Sequence, residues 1–324
     1  MGPHANVFAV RIVFFAKRHR RSGITLHMRR GMERAGHSVL SINKHRSERI
    51  LGERLGRKLT IARARRFKPD LVMVFTFDAD PEVLAVLRAE GARIATFFDD
   101  CPLELDERIL RMGRASDVFF INNRGQIPMY AEKGIRAAFA TGGTDPVDHV
   151  RVPPDERFAA DVSFIGKCDE RGGRVALVKE LARRFRVKVY GQGWHKAGLE
   201  ATREDVFPEQ YRAICASSKV MLGIDLRDDV ELYFSNRTWI TLGCGGFLCT
   251  RHVPKLEEIL EDGVHLATYR TIEEAPSVIE RYLADEPLRR TVQEQGHRHA
   301  HESYSYEKMI GRMIDAVSAA TARA

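Results

Sequence analysis

Residues 161–194 read DVSFIGKCDERGGRVALVKELARRFRVKVYGQGW, and this stretch decides the fold class. Asp161–Ile165 is a strand-sized apolar run that stops at Gly166. A polar loop carries Lys167 and Arg171, and apolar residues then recur at helical spacing over Arg171–Phe185. Val187–Tyr190 is a second apolar run, and it ends in Gly191-Gln192-Gly193-Trp194. A change of period from two to 3.6 and back, with no tight turn between the strands, predicts a crossover unit of two parallel strands.

The same alternation continues in both directions. Toward the C-terminus it predicts helices at Pro208–Ala216 and Asn236–Leu242, and strands at Lys219–Ile224, Gly246–Thr250 and Val264–Thr268. Helix follows from Ile272 to Ala319. Toward the N-terminus it predicts strands at Val7–Phe15, Val39–Ile42, Leu71–Phe75, Ala92–Phe98, Asp117–Ile121 and Arg136–Thr141. Helices fit at Thr25–Ala35, Ser47–Phe67, Pro81–Glu90, Leu103–Gly113 and Gly125–Lys133. In the long basic helix, Ile50, Leu51, Leu55 and Leu59 are expected to face the core. Thr141–Asp155, TGGTDPVDHVRVPPD, interrupts the pattern and suits an interdomain linker. The expectation is an α/β chain of two Rossmann-like domains, residues 1–145 and 156–302, facing across a cleft. Ligands would sit at the carboxyl ends of the strands.

Composition narrows the function. The chain has 324 residues, 44% of them apolar, enough for two ordinary cores. No apolar run reaches the roughly 18–20 residues of a membrane span. The N-terminus shows no secretion signal, so a cytoplasmic protein is expected, or one held at the inner face of a membrane. Five widely spaced cysteines with no C-x-x-C pair argue for free thiols and against a zinc site. Residues 1–70 hold 18 Lys/Arg against four acids, a net of +14 in a chain of net +8. The basic helix lacks aromatic interleaving, so no nucleic-acid partner is expected. An anionic or membrane-linked partner fits the charge better. The run His297-x-His299-x-His301 reads as a solvated helix surface, not a metal site. No G-x-G-x-x-G appears, which leaves dinucleotide binding without support.

Three segments of the C-terminal half have the chemistry of an anion site. In Tyr233–Glu258, Ser235 and Asn236 can cap a helix that carries Arg237 and ends in Gly243-Cys244-Gly245-Gly246. In Val162–Arg174, Gly166 permits close backbone approach, and Lys167 and Arg171 can offset a diphosphate. In the third segment, Gly191 brings the loop near a ligand, and Gln192 and Trp194 suit the base side of a nucleotide pocket. Each segment also fits an ordinary structural role: a capped helix, a solvated βα loop, a tight turn with a packed Trp. In the N-terminal half, Asp99 and Asp100 follow a strand and could act on a hydroxyl as general base, or form an Asx turn before Pro102. His19 and His27 flank the first loop, and His19 is a further candidate base.

In this order, F-F-D-D-C-P (97–102), Y-A-E-K-G-I…T-D-P (130–146), D-V-S-F-I-G-K (161–167), V-Y-G-Q-G-W (189–194), N-R-T-W-I-T-L-G-C-G-G-F (236–247) and Y-S-Y-E-K-M (304–309) form a set. The set resembles the CgeB-like, spore-maturation-protein-type glycosyltransferases, related to glycosyltransferase families 1 and 4. The resemblance spans about residues 95–310. It implies the GT-B fold, with a C-terminal helix, about 303–324, crossing back to the N-terminal domain. It also implies a nucleotide-diphosphate sugar as co-substrate, no other cofactor, and no obligatory metal. The sugar would pass to an acceptor hydroxyl held mainly by the N-terminal domain. One departure stands out: Ile240 occupies the position where such families usually carry a ribose-binding Glu. That departure favours the competing expectation, a catalytically degenerate GT-B module that binds an anionic partner through its basic domain.

Overall fold

Ile12, Val13, Phe14 and Phe15 are all buried, as a strand covered on both faces requires. They belong to a parallel six-stranded sheet in a computed structural model that describes residues 9–17 and 23–321. Its strands are β1 (Arg11–Phe15), β2 (Ser38–Ile42), β3 (Leu71–Phe75), β4 (Arg93–Phe98), β5 (Val118–Ile121) and β6 (Ala137–Phe139), in the order β2-β1-β3-β4-β5-β6. The crossover helices are α1 (Ile24–Arg34), α2 (Lys44–Leu51), α3 (Glu53–Phe67), α4 (Pro81–Ala89), α5 (Glu107–Arg114) and α6 (Ile127–Ala131). Alternate residues serve opposite faces. Val13 and Phe15 pack with Ala64, Leu84, Met112 and Tyr130, whereas Ile12 and Phe14 pack with Met28 and Met32 of α1.

The second sheet is also parallel and six-stranded. It comprises β7 (Ala160–Ile165), β8 (Val187–Tyr190), β9 (Ala201–Arg203), β10 (Ser218–Gly223), β11 (Leu248–Arg251) and β12 (Ala267–Tyr269), in the order β12-β11-β10-β7-β8-β9. Its helices are α7 (Arg174–Ala182), α8 (Pro208–Ser217), α9 (Arg237–Gly243), α10 (Ala275–Ala284) and α11 (Glu286–Ser303). The last helix, α12 (Tyr306–Thr321), belongs to the first unit. Tyr306, Met309, Ile310, Met313 and Val317 join the core under α1. Gly31 of α1 lets the two helices touch: a Cβ there would lie 2.8 Å from Tyr306 Cβ. The units are therefore residues 1–141 with 306–324, and residues 142–305.

Three sequence expectations are corrected. The helix read as Ser47–Phe67 is two helices, broken at Gly52, whose φ of 77° leaves the helical region. The face of α3 that turns inward is the small-residue stripe Gly56, Thr60 and Ala64. At Gly56 the α2 backbone passes so closely that a Cβ would sit 2.8 Å from Ser47 C and Glu48 Cα. Packing at that distance excludes the larger side chains, and Ile50, Leu51, Leu55 and Leu59 are left 65%, 42%, 58% and 41% exposed. The stretch 142–149, expected as linker, is packed into the second unit. Thr144 and Asp145 are fully buried, and the Thr144 amide donates to the Tyr304 carbonyl at 2.8 Å. The three histidines of α11 are not a solvated surface either. Each has a ring nitrogen on a backbone carbonyl: His297 on Leu242 (3.1 Å), His299 on Ile259 (2.8 Å) and His301 on Gly243 (3.0 Å).

Candidate functional site

The strand order of the second sheet reverses direction between β7 and β10, and loops leaving such a pair diverge to opposite sides and open a crevice at their carboxyl ends. Gly166 and Lys167 follow β7, and Ile224 and Asp225 follow β10. Two arginines converge on this point. Arg174, the first residue of α7, donates from Nη1 to the Lys167 carbonyl (2.9 Å) and from Nη2 to the Ile224 carbonyl (3.2 Å). Arg237, the first residue of α9, donates to the same Ile224 carbonyl (3.4 Å) and lies 3.3 Å from the Asp225 carboxylate. Both guanidiniums approach the Phe164 ring, at 5.2 and 5.8 Å from its centroid. Burial, and then the neighbouring Arg237, lower the Arg174 pKa. Two adjacent cations with one carboxylate between them leave positive charge at the head of the sheet, which an anionic ligand would neutralise.

Glycine shapes the same place. Gly191, at φ 118°, follows β8, and a Cβ on it would run into the Gly166 carbonyl. The loops are knitted by Gly166 N–H donating to Tyr190 O (2.8 Å) and Cys168 N–H to Gln192 O (2.9 Å). Ser235 borders a cavity of about 10 Å³ behind Arg237, shared with Tyr211, Thr238, Thr241 and Asp225. That is space for roughly one water among polar groups.

Several predicted donor residues stand elsewhere. Trp194 is fully buried, packs edge-on against Phe164 and donates from Nε1 to Gly166 O at 2.9 Å, so its ring is a core element and cannot stack on a base. Arg171 points into solvent and forms a bidentate pair with Asp169, whose pKa it holds down to about 2. Lys167 and Gln192 are exposed beside the site. Asn236 does not cap α9; its side chain accepts from the Gly143 amide at 3.2 Å. Gly245 and Gly246 close the C-terminal end of α9. Gly245 O accepts from the Gln293 side chain, and Gly246 packs on Met221 and Cys215. They precede β11 and so lie at the opposite end of the sheet from Gly166. A helix C-terminus also presents carbonyls, the wrong partner for phosphate.

Sequence reading passed over Arg174. The signal was there: Arg174 shares a helical face with the buried Leu177, Val178 and Leu181, so it is a cation on an apolar stripe.

In the first unit, Asp99 directly follows β4, and Asn122 and Asn123 follow β5. Asp99 is half-buried and accepts from Asn122 Nδ2 at 3.2 Å. Burial raises its pKa to about 6, the Asn122 bond opposes the rise, and Asp100 adds to it. Asp100 is exposed and accepts from the Cys101 amide at 2.8 Å, one residue ahead; it forms no Asx turn, because the residue two ahead is Pro102, which has no N–H to donate. Asn123 and Gln126 bond to each other (3.1 Å), and Gln126 Nε2 reaches the Pro102 carbonyl (2.5 Å), which ties the loop after β5 to the loop after β4. These three amides were not singled out in the sequence; adjacent asparagines directly after a strand were the available sign. His27 is buried against Tyr306 and is not a solvent-facing base. His19 lies outside the described residues.

Comparison with known proteins agrees with this fold. Residues 174–315 match the family described as glycosyl transferase-like. Sucrose-phosphate synthase from Thermosynechococcus elongatus superposes with a TM-score of 0.67 at 13% identity, covering 97% of this chain and 100% of that one. HepE from Anabaena, solved with UDP-glucose, gives a TM-score of 0.65 at 12% identity over 96% and 100% of the two chains. A glycosyltransferase from Rickettsia africae gives 0.65 at 10% identity over 97% and 99%. At these identities the likeness is one of fold. No curated protein matches the sequence. The chain has the GT-B fold, and its residues 174–315 are similar to the glycosyl transferase-like family.

Proposed function

We propose that the protein transfers a sugar from a nucleoside-diphosphate carrier to an acceptor hydroxyl, with the donor diphosphate at the head of β7 and β10. The observation that carries this reading is the convergence of Arg174 and Arg237 on the Ile224 carbonyl beside Gly166 and Gly191. The glycines admit a phosphate close to backbone, and the fixed guanidiniums stabilise charge on the departing diphosphate. Charge neutralisation by arginine lets the chemistry run without a divalent metal. HepE, bound to UDP-glucose, makes a uridine donor the first to test. On the acceptor side, Asp99 is the candidate base, its pKa of about 6 suited to taking a hydroxyl proton near neutrality. The acceptor class is an anionic or lipid-linked hydroxyl compound, in keeping with the charge of residues 1–70.

Titration calorimetry of the full chain with UDP, GDP, dTDP and ADP tests the donor site. Binding of one of them, lost in Arg237→Ala, is the expected result. Ile240, half-buried on α9, supports the second reading of a binding module without transferase activity; absence of binding by all four nucleotides would favour it.

A further inference from the structure

Helices α2 and α3 carry an outward face that nothing in their own unit covers. Ile50 and Leu51 end α2, and Leu55 and Leu59 follow one and two turns into α3. They are four of the seven exposed large apolar side chains among the described residues, and they fall within ten positions of one another. Leu55 and Leu59 are spaced i, i+4, so they stack on one side of α3, about 100° round the helix from the inward Gly56, Thr60 and Ala64.

Charge is segregated across the same helices. Residues 44–67 hold nine Lys/Arg against two acids. The cations nearest the body of the unit are neutralised: Lys44 lies 2.5 Å from Asp80, and Arg57 lies 2.8 Å from Glu53 and 3.7 Å from Asp80. Arg65 pairs with Glu90 at 2.5 Å. Arg46, Arg49, Arg54, Lys58, Arg63 and Arg66 have no carboxylate partner among the described residues, and all six are exposed. Solvent alone would not favour four aliphatic side chains set among six unpaired cations. An interface that is apolar within and anionic at its rim satisfies both sets at once.

We propose that the outward face of α2–α3 is a docking surface for an anionic phospholipid bilayer. The aliphatic side chains enter the acyl boundary while the arginines and lysine meet lipid phosphates, their stems lying along the apolar surface. No described helix is long and apolar enough to cross a membrane, so the attachment is peripheral. A nucleic-acid surface would use the same cations but not the aliphatics, and the face offers no aromatic ring for base stacking. A protein interface would seldom place so many lysines and arginines without acids around its apolar centre.

The test is co-sedimentation of the full chain with extruded vesicles, one set of phosphatidylcholine alone and one of phosphatidylcholine and phosphatidylglycerol at roughly two to one. Expected is binding to the anionic vesicles only, weakening steeply as salt rises. Each cation at such a surface contributes roughly fivefold, so Arg54→Gln/Lys58→Gln should lower partitioning about 25-fold. Leu55→Ser/Leu59→Ser should lower it roughly tenfold or more with the charge intact. All four positions are exposed, and circular dichroism checks that both variants keep the fold. Equal recovery on neutral and anionic vesicles, or no recovery on either, overturns the proposal. So does a leucine variant that binds as wild type. Binding to duplex DNA that falls in the charge variant alone, with no vesicle binding, would assign the face to nucleic acid. The assay contains neither nucleotide nor acceptor, so its failure leaves the transferase reading standing, and loss of nucleotide binding would leave this proposal standing.

Discussion

Asn122 Nδ2 donates to Asp99 Oδ1 across 3.2 Å, joining the ends of β5 and β4 at a carboxyl group whose pKa burial has raised to about 6. The raised value has a stability consequence of definite sign. From about pH 4 to pH 6 the folded chain keeps a proton on Asp99 that the unfolded chain releases, so this group costs nothing at low pH and opposes folding increasingly as pH rises to about 6, with the full cost above it. Asp99→Asn should therefore stabilise the protein by about 2 kcal/mol at pH 8 and by nothing near pH 4. The same variant should lose about 100-fold or more in kcat/KM, whose wild-type profile should rise with pH through about 6. Thermal melts at the two pH values read the first effect, and a pH–rate profile reads the second. A variant that keeps wild-type turnover would remove Asp99 as the base.

Arg237 is half-buried, and its loss would strand Asp225, so Arg237→Ala is expected to cost about 1–2 kcal/mol of stability as well as donor affinity. Affinity for the nucleoside diphosphate should fall by roughly tenfold to a hundredfold, the worth of a charge-assisted bond of about 1.5–3 kcal/mol. Arg171→Ala, at a solvent-facing pair, should leave stability within about 0.5 kcal/mol of wild type. Calorimetric titration beside denaturant melts separates the two arginines. Equal donor affinity in both variants would place the phosphates elsewhere.

Trp194 belongs to the core, and its variants should behave accordingly. Trp194→Ala is expected to destabilise by about 3–5 kcal/mol. Trp194→Phe keeps much of the packing against Phe164 but loses the bond to Gly166 O, and it should cost about 1–2 kcal/mol with donor affinity unchanged to within about twofold. A selective loss of donor affinity in a stable Trp194→Phe protein would return the ring to the pocket.

His297 makes the opposite pH prediction from Asp99. Burial, and then Arg151, lower its pKa, while its bond to the Leu242 carbonyl raises it in part. Below the ordinary His value of about 6.5 the unfolded chain takes up a proton that the folded chain resists, so stability falls as pH drops through that range. His297→Gln should be less stable than wild type at pH 8 and should lose less stability between pH 7 and pH 5. Melting curves across that interval decide it, and parallel curves for the two proteins would exclude His297 as a source of acid lability.

Two parallel sheets, all of their strands but the three-residue edge strand β9, and the glycine loops after β7 and β8 were legible from the sequence. Apolar runs of five residues with helical spacing between them have few other solutions, and a glycine that ends a strand marks close backbone approach. Arg237 was legible too, as a cation directly after a polar turn. What tertiary structure alone decided was which way side chains point. Trp194 and Arg171 sit in the same kinds of loop as Gly166, yet one is drawn into the core by Phe164 and the other is turned outward by Asp169. Arg174 joins the candidate site because its helix delivers it to the Lys167 and Ile224 carbonyls, partners seven and fifty positions away. The leucines of α3 show the limit most sharply. Their spacing reads as a core stripe, but the close approach of α2 at Gly56 gives the inner face to small residues and leaves Leu55 and Leu59 outside. Periodicity records that a helix has two faces; only the distance to its neighbours determines which one is buried.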